Sequence, residues 1–593
     1  MPKTPFIQVI LPLRLEWEPW YILEEATVGE RVSVSLAGRS YTGVVSAVHV
    51  QPAPGIKLLP ATRLDLPPVQ EKEIAFWRSL AQYYLCTVGE VYKAAYPVLR
   101  QEGDAVKVRA DERLQKRLAL LRDKLARAKK DETRARYAGE IDRLEAFLRG
   151  DKPVLETSGM ALSPVQQKAA AAVRAGLEAG KTVLLHGDAD KTDVYLRLAQ
   201  EKLAQGRSVL FLIPEIGLFQ QVEARIGEVF PQLLVYHSGR TSAQKRAVAD
   251  ALREDRPQLV LGTRSALFLP WRNLGLIIVD QEHETSYKQD SPAPRYHARE
   301  SAILLAGIHR AAVILGSATP SLESLYNAEK GLFAEVYLEE NFNNSQKPEI
   351  QLINTLAEAR KKGMAGSLSL KLLEAMHRTL DAGQRQLIVC RSKAALAESR
   401  SELEAIFGPL PKGMVLATPA SAKEQPSGAF GLTAVLQADG LLAREDFRCD
   451  ERAQQLLSLL RSKCLPGGQL LIQTREAAHP VFGPYSSDRI RQLLEERLQF
   501  GYPPFSRLIY LTVKDNNEKR GAYLAGELAA VLRRALPGLG ESAILGPYQG
   551  QIRIMLPRDK ALLDRKRALA AAVGTFEKER KYPGHIVIDV DPV

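Results

Sequence analysis

Between Leu162 and about Leu332 the chain repeats one pattern five times, a short apolar run followed by a stretch with helical spacing. The runs are Thr182-Val-Leu-Leu-His, Ser208-Val-Leu-Phe-Leu-Ile, Gln258-Leu-Val-Leu-Gly, Leu274-Gly-Leu-Ile-Ile-Val and Ala312-Val-Ile-Leu-Gly. A strand that is apolar along its whole length must be covered on both faces. Alternation with helices supplies that cover and implies a parallel sheet. A weaker region of the same kind runs from about Gly383 to Thr474. With 593 residues the chain exceeds the roughly 250–300 that one hydrophobic core organises, so several domains are expected.

The flanks read differently. Residues 6–50 are short strands with turns: Arg31-Val-Ser-Val-Ser alternates with period two, Ala37-Gly-Arg-Ser turns, and Tyr41-Thr-Gly-Val-Val-Ser-Ala-Val returns. From Gln70 to Lys93 the period becomes helical, with Phe76, Leu80 and Tyr84 on one face. Residues 108–150 carry two leucine-rich stripes in dense charge, Leu114, Leu118, Leu121 and Leu125, then Ile141, Leu144 and Leu148. They read as a helical hairpin or one long helix, serving as a spacer or a binding arm. The end of the chain is mixed α+β. The expected partition is 1–103 β-rich, 104–155 charged helical linker or hairpin, 156–332 and 333–475 two α/β lobes, and 476–593 an α+β domain.

Lysine and arginine total 81 against 69 acidic residues, a net charge of +12. That excess suits a polyanion such as nucleic acid, and equally a solvated basic surface. No run of about 20 apolar residues could span a bilayer, and the start through Phe6-Ile-Gln-Val-Ile-Leu is too short for a signal peptide. A cytoplasmic, nucleoid-associated protein without a membrane partner is expected. Cys86, Cys390, Cys449 and Cys464 lie far apart, with no metal-binding spacing, so buried thiols and no zinc are expected.

Several strand ends carry groups that apolar patterning leaves unexplained: Pro214-Glu-Ile-Gly-Leu, Gly262-Thr-Arg-Ser-Ala-Leu-Phe, Asp280-Gln-Glu-His and Gly316-Ser-Ala-Thr-Pro-Ser. Ligands of open α/β sheets sit beyond the carboxyl ends of the strands. In this order the four segments resemble the first motor lobe of a superfamily 2 helicase. Ser286-Tyr-Lys-Gln, Pro294-Arg-Tyr-His-Ala-Arg, Ser321-Leu-Glu-Ser and Phe500-Gly-Tyr-Pro-Pro-Phe-Ser-Arg-Leu narrow the likeness. So do Tyr83-Tyr-Leu-Cys-Thr-Val-Gly-Glu-Val and Ile588-Asp-Val-Asp-Pro. Together they resemble the PriA (primosomal protein N-prime) family. That resemblance implies RecA-like lobes between a β-rich DNA-binding module and a C-terminal α+β DNA-binding domain. It further implies recognition of forked DNA and of the 3′ end of a nascent strand, with primosome proteins and single-stranded DNA-binding protein as partners, and ATP-dependent unwinding.

The residues disagree with the last implication. A P-loop needs G-x-x-x-x-G-K-[ST], whose backbone N–H groups form a nest for phosphates while the Lys meets the β/γ oxygens and the hydroxyl meets Mg²⁺. Here the stretch is His186-Gly-Asp-Ala-Asp-Lys-Thr-Asp-Val-Tyr. Gly187, Lys191 and Thr192 survive, but the loop is two residues short and its glycines are gone. Asp188 and Asp190 add repulsion of roughly 3 kcal/mol each for a carboxylate about 5 Å from a phosphate charge. In the acidic box Asp280-Gln281-Glu282-His283, Gln281 stands where the general base belongs, and an amide cannot take that proton. Glu282, one residue on, is expected on the other side of an extended chain. In the second lobe, Arg448, Glu451 and Arg452 fit the family pattern. The arginine-rich motif that should follow reads Ser458-Leu-Leu-Arg-Ser-Lys-Cys-Leu-Pro. The family's cysteine-rich zinc module and its winged-helix domain are not evident. No cofactor is expected; ATP and Mg²⁺ enter only if the site has been rebuilt.

What remains is a DNA-binding shell. The family's 3′-end pocket uses an aromatic–Asp pair, a glycine and a lysine. Lys57 matches the lysine, Trp20-Tyr21 lies where the aromatic stretch belongs without its Asp, and Ala37 stands near the glycine. Trp17, Trp20 and Tyr21 suit base stacking or the core of the β module. Arg264 and Arg295 occupy motif positions that face nucleic acid or the lobe interface in related motors. Arg553, Arg558, Lys560, Arg565, Lys566 and Arg567 form a basic cluster. The leading expectation is a fork-DNA binder and primosome scaffold with a silent motor. The alternatives are an active ATP-dependent 3′–5′ DNA helicase and a protein-interaction subunit that binds no DNA.

Overall fold

The computed structural model describes residues 5–52, 55, 58–96, 110–128, 134, 137–138, 141–142, 145, 162–214, 219–254, 256–338, 347–442, 446–582 and 586–593. Four larger sheets organise them. In the first lobe seven parallel strands run in the order Phe333–Tyr337, Thr182–His186, Ala312–Ser317, Leu274–Val279, Ser208–Leu212, Leu259–Gly262 and Leu234–Tyr236. Every residue of Leu274–Val279 and of Ser208–Leu212 is buried, as central strands covered on both faces require. Phe333–Tyr337 closes one edge, so this lobe continues past the expected boundary at 332. Only Val336 of its five residues is buried, so it carries no apolar run.

Five parallel strands form the second lobe: Glu349–Asn354, Cys464–Thr474, Phe430–Val435, Gln386–Val389 and Met414–Ala417. The C-terminal sheet is antiparallel, Ile544–Tyr548, Gln551–Pro557, Ser506–Val513 and Ile586–Val590. Helices Glu518–Ala535 and Leu562–Glu579 pack on it. The N-terminal module is a six-stranded sheet in which Arg31–Leu36 and Arg39–Val48 make a hairpin. Its turn residues Ala37 and Gly38 both have left-handed φ, +49° and +76°, the geometry that two-residue hairpin turns demand. The fold is thus a multidomain α/β protein with two helicase-like lobes between a β-rich module and an α+β domain.

Of the charged stretch 108–150, the structure describes one long helix and a few helical residues after it, and the connection between them lies outside the described residues. Helix Ala110–Arg127 buries Leu118 and Leu121 against Ile141, with Leu125 and Tyr137 alongside. Arg122 pairs with Glu145 at 2.6 Å.

Histidine burial gives the fold a pH limit. His309 ends helix Ala298–His309 at 5% exposure with its Nδ1 unpartnered. Burial, helped by nearby Lys72 and Arg207, lowers its pKa from 6.5 to about 4. The folded state therefore holds the neutral ring, and the unfolded chain takes up the proton first as pH falls. Stability is intact above the unfolded value and declines from pH 6.5 toward 4, by about 3 kcal/mol for this group. His309→Gln is expected to flatten that part of a melting-temperature profile. An unchanged profile would show that the ring is not buried neutral.

Candidate functional site

The site lies beyond the carboxyl ends of the first-lobe strands, facing the second lobe. Strand Thr182–His186 ends at Gly187, whose φ of +121° suits glycine. An added Cβ there would sit 2.1 Å from the Leu338 carbonyl oxygen. The shortened loop then turns at once into helix Thr192–Ala204. Lys191 does not reach outward. Its ammonium is buried and donates to the Gly187 carbonyl at 2.5 Å and the Ala189 carbonyl at 3.0 Å. Thr192 donates both its backbone N–H (2.9 Å) and its hydroxyl (2.7 Å) to the Asp190 carboxylate. A P-loop aims these same groups at phosphate and magnesium, and here each has an internal partner.

Asp190 is not the bare negative charge that its sequence position suggests. Arg225 forms ion pairs with Asp190 and, at 2.8 Å, with Asp193. Burial pushes the Asp190 carboxyl up, while bonds from Thr192 and Arg225 outweigh it and hold the pKa below the usual value. Electrostatic repulsion at Asp190 is therefore largely compensated by pairing, although Asp190 and Asp188 are both exposed. Geometry more than charge distinguishes this loop from a nucleotide nest. Arg225 lies about thirty residues downstream on helix Phe219–Val229, and nothing in its local sequence marks it.

The acidic box is equally committed. Strand Leu274–Val279 stops before Asp280, and Gln281 adopts left-handed φ of +51°, so the box is a turn and not the extended chain its sequence suggests. Asp280 accepts from the buried Tyr195 hydroxyl at 3.2 Å. Burial raises the Asp280 pKa against the opposing charge of Lys191. Gly316 leaves the space that the Tyr195 ring needs, since a Cβ would come within 1.6 Å of its hydroxyl. Glu282 is fully buried. It accepts from the Ser321 N–H (2.7 Å), the Ser321 and Ser324 hydroxyls (3.0 Å each) and Arg299 (2.7 Å). His283 shares a 2.7 Å hydrogen bond with Ser317, and burial lowers its pKa. The box thus staples strand ends together, and Glu282 is a structural hub rather than a misplaced base. Arg299 and Ser321 belong to the stretches that carried the family likeness, but their pairing with Glu282 was not visible in the sequence.

In the second lobe, helix Cys449–Lys463 passes directly into strand Cys464–Thr474 where a loop bearing phosphate-facing arginines was sought. Leu457, Leu460 and Cys464 of that stretch are core residues. Glu215–Leu218 lies outside the described residues. Among the described residues no cluster of His, Cys, Asp and Glu could hold a metal ion. The residues present do not fit a magnesium-bound nucleoside triphosphate.

The expected DNA contacts are scattered. Tyr21 is core, 2% exposed, with its hydroxyl on the Ser35 carbonyl at 3.1 Å, which corrects its placement as a stacking residue. Trp20 is half-buried, and Trp17, 53% exposed, is free to stack. Both line a cleft of about 1320 Å³ between the N-terminal module and helix Leu562–Glu579. Lys57 lies outside the described residues. Arg264 donates to the Ser286 and Lys288 carbonyls at 2.9 and 2.5 Å, bracing the turn after the acidic box instead of facing nucleic acid. Arg295 is half-buried. Lys566 is also corrected: it is buried, donates to the Tyr83 carbonyl at 2.5 Å, and burial lowers its pKa to about 8. Arg553 donates to Tyr502 (2.7 Å) and Arg565 pairs with Asp559 (2.8 Å). Arg567 keeps most of its side chain in solvent beside Asp564. Exposed Arg558 and Lys560 complete the outward part of the cluster.

Three family models match separate parts of the chain. Residues 8–97 match the 3′ DNA-binding domain of PriA, 163–328 the DEAD/DEAH box helicases, and 498–593 the C-terminal domain of primosomal protein N. The replication restart protein PriA of Bacillus subtilis (strain 168) is 37% identical over 243 residues, 40% of this chain and 30% of its own length. That of Synechocystis is 28% identical over 535 residues, 72% of this chain and 64% of its own length. The chain belongs to the PriA family. It spans between about a third and two thirds of the PriA relatives it matches. Among solved structures, RecG bound to a three-way DNA junction has a TM-score of 0.39 at 16% identity, covering 69% of this chain and 54% of RecG. MrfA, a DUF1998 helicase bound to DNA, has a TM-score of 0.38 at 14% identity, covering 69% and 59%. No helix among the described residues is long and apolar enough to cross a membrane.

Proposed function

We propose that the chain is a replication-restart protein that binds forked or branched DNA and does not convert ATP hydrolysis into unwinding. One observation carries the reading: the Lys191 ammonium is folded back onto the carbonyls of its own loop. Gln281 in place of a carboxylate supports it, because the attacking water would lack a base. DNA binding follows from the match to a 3′ DNA-binding domain and from the net charge of +12. Primosome proteins and single-stranded DNA-binding protein are proposed partners on family grounds.

Fluorescence anisotropy of forked DNA, read across a salt series with and without Mg-ATP, tests the proposal. Salt-sensitive binding that ATP leaves unchanged is expected, with no strand separation. Unwinding driven by ATP would identify an active helicase, and failure to bind DNA would identify a protein-interaction subunit. Arg558→Ala and Arg567→Ala are each expected to reduce the salt slope on duplex by about 0.9, one phosphate contact apiece. Unchanged slopes would remove this cluster from the DNA surface.

A further inference from the structure

Helix Ser487–Gln499 belongs to neither lobe, yet one of its arginines reaches both. Arg497, 3% exposed, pairs with Glu323 of the first lobe at 3.1 Å and with Glu451 of the second at 2.5 Å. It also donates to the Pro503 carbonyl at 3.2 Å, at the entrance to the C-terminal domain. Arg448 of the second lobe meets the same two carboxylates at 2.8 and 3.7 Å. The remaining Glu451 oxygen accepts from the Leu322 N–H at 2.9 Å, at the start of the first-lobe helix Leu322–Glu329. Two guanidinium groups and two carboxylates thus neutralise one another in a seam where no side chain exceeds 12% exposure.

An apolar shell excludes water from the seam. Leu322, Leu493 and Leu494 pack together with Tyr326, Tyr485 and Phe505 around them. The Phe447 ring lies beneath both guanidinium groups, 4.8 Å from Arg448 and 5.0 Å from Arg497. It also stacks on Tyr502 at 4.4 Å and 4°, and Tyr502 is held by Arg553 of the C-terminal sheet. A second tie, Lys423 to Glu284 at 2.6 Å, crosses the same cleft. A buried ion pair adds little net stability over apolar packing. Separating its partners is costly, because each would be left charged and without water. Such a network therefore specifies a single geometry.

The geometry points to Arg497 as a pin that fixes the two lobes and the C-terminal domain in one arrangement, which nucleotide does not change. Held this way, the seam presents a constant surface to whatever binds. The pin stands on the interface alone and does not depend on how DNA is recognised.

Single-molecule energy transfer between dyes on Lys181→Cys and Lys393→Cys reads the inter-lobe distance, since both positions are exposed and the four native cysteines are buried or half-buried. The wild-type pairing is expected to give one narrow population with or without Mg-ATP; two populations, or a shift on adding nucleotide, would overturn the pin whatever the variants do. Arg497→Met and Glu451→Gln are each expected to broaden or split that population. Arg400→Ala, which removes an exposed pair within one second-lobe helix, should leave it narrow. A narrow population in Glu451→Gln also overturns the proposal, and this variant decides the matter should Arg497→Met fail to fold. If ATP turnover were found while the distance stayed fixed, the pin would survive and the reading of a silent motor would not.

Discussion

Titration of the purified chain with Mg-ATP is expected to give no binding heat at concentrations up to about 1 mM, a ceiling of roughly 4 kcal/mol of affinity against the 8 of a micromolar site. To bind phosphate, Lys191 would have to leave two carbonyls inside a closed loop, and Thr192 would have to release Asp190. Each such charge-assisted bond is worth about 1.5–3 kcal/mol, and leaving a buried carbonyl unpaired adds to that cost. Gln281→Glu alone should therefore leave turnover at background, although it restores a carboxylate. Lys191→Met separates the two roles of the residue. In a nucleotide site it would abolish binding at no cost in stability, whereas here it should lower stability by about 2 kcal/mol. Micromolar heat with wild type, or phosphate release stimulated by DNA, would end the reading of a silent motor.

The largest stability effect is expected at Glu282. Its carboxylate takes four hydrogen bonds from Ser321, Ser324 and Arg299 with no solvent contact. Glu282→Ala leaves the Arg299 guanidinium buried beside fewer acceptors, a defect that costs about 3–5 kcal/mol. Glu282→Gln keeps shape and an acceptor but loses the ion pair, and should cost less. Gln281→Ala, on the same turn, should move the melting temperature little, since the half-buried Gln281 side chain makes no comparable bonds. If Glu282→Gln kept full stability and abolished an ATPase activity, the glutamate would be a relocated base and not a staple.

The pattern of apolar runs was sufficient to place the parallel-sheet lobes, because burial on both faces leaves a strand no freedom to be polar. It could not place Phe333–Tyr337, an edge strand exposed on one side. The missing loop glycines and Gln281 were legible as departures from the motif, since each role requires a particular group at a particular spacing. Which groups filled the gap was not legible. Arg225 neutralising Asp190, Tyr195 reaching Asp280 through the space at Gly316, and Arg299 on Glu282 join residues from 17 to 85 positions apart.

Basic residues show the same division. Arg553, Arg565, Lys566 and Arg567 form one cluster in the sequence, but the fold sends Lys566 inward to Tyr83, pairs Arg565 with Asp559 and leaves Arg567 in solvent. Composition and local spacing by themselves determined the family, the layered α/β architecture and the departure of 186–192 from the P-loop spacing, because these depend on which residue types occur at short range. Only the tertiary structure decided what each surviving polar side chain does, the pinning of both lobes by Arg497 above all. A buried charge must be answered by whatever the fold brings within about 3 Å, and that partner is set by chain crossings no local pattern encodes.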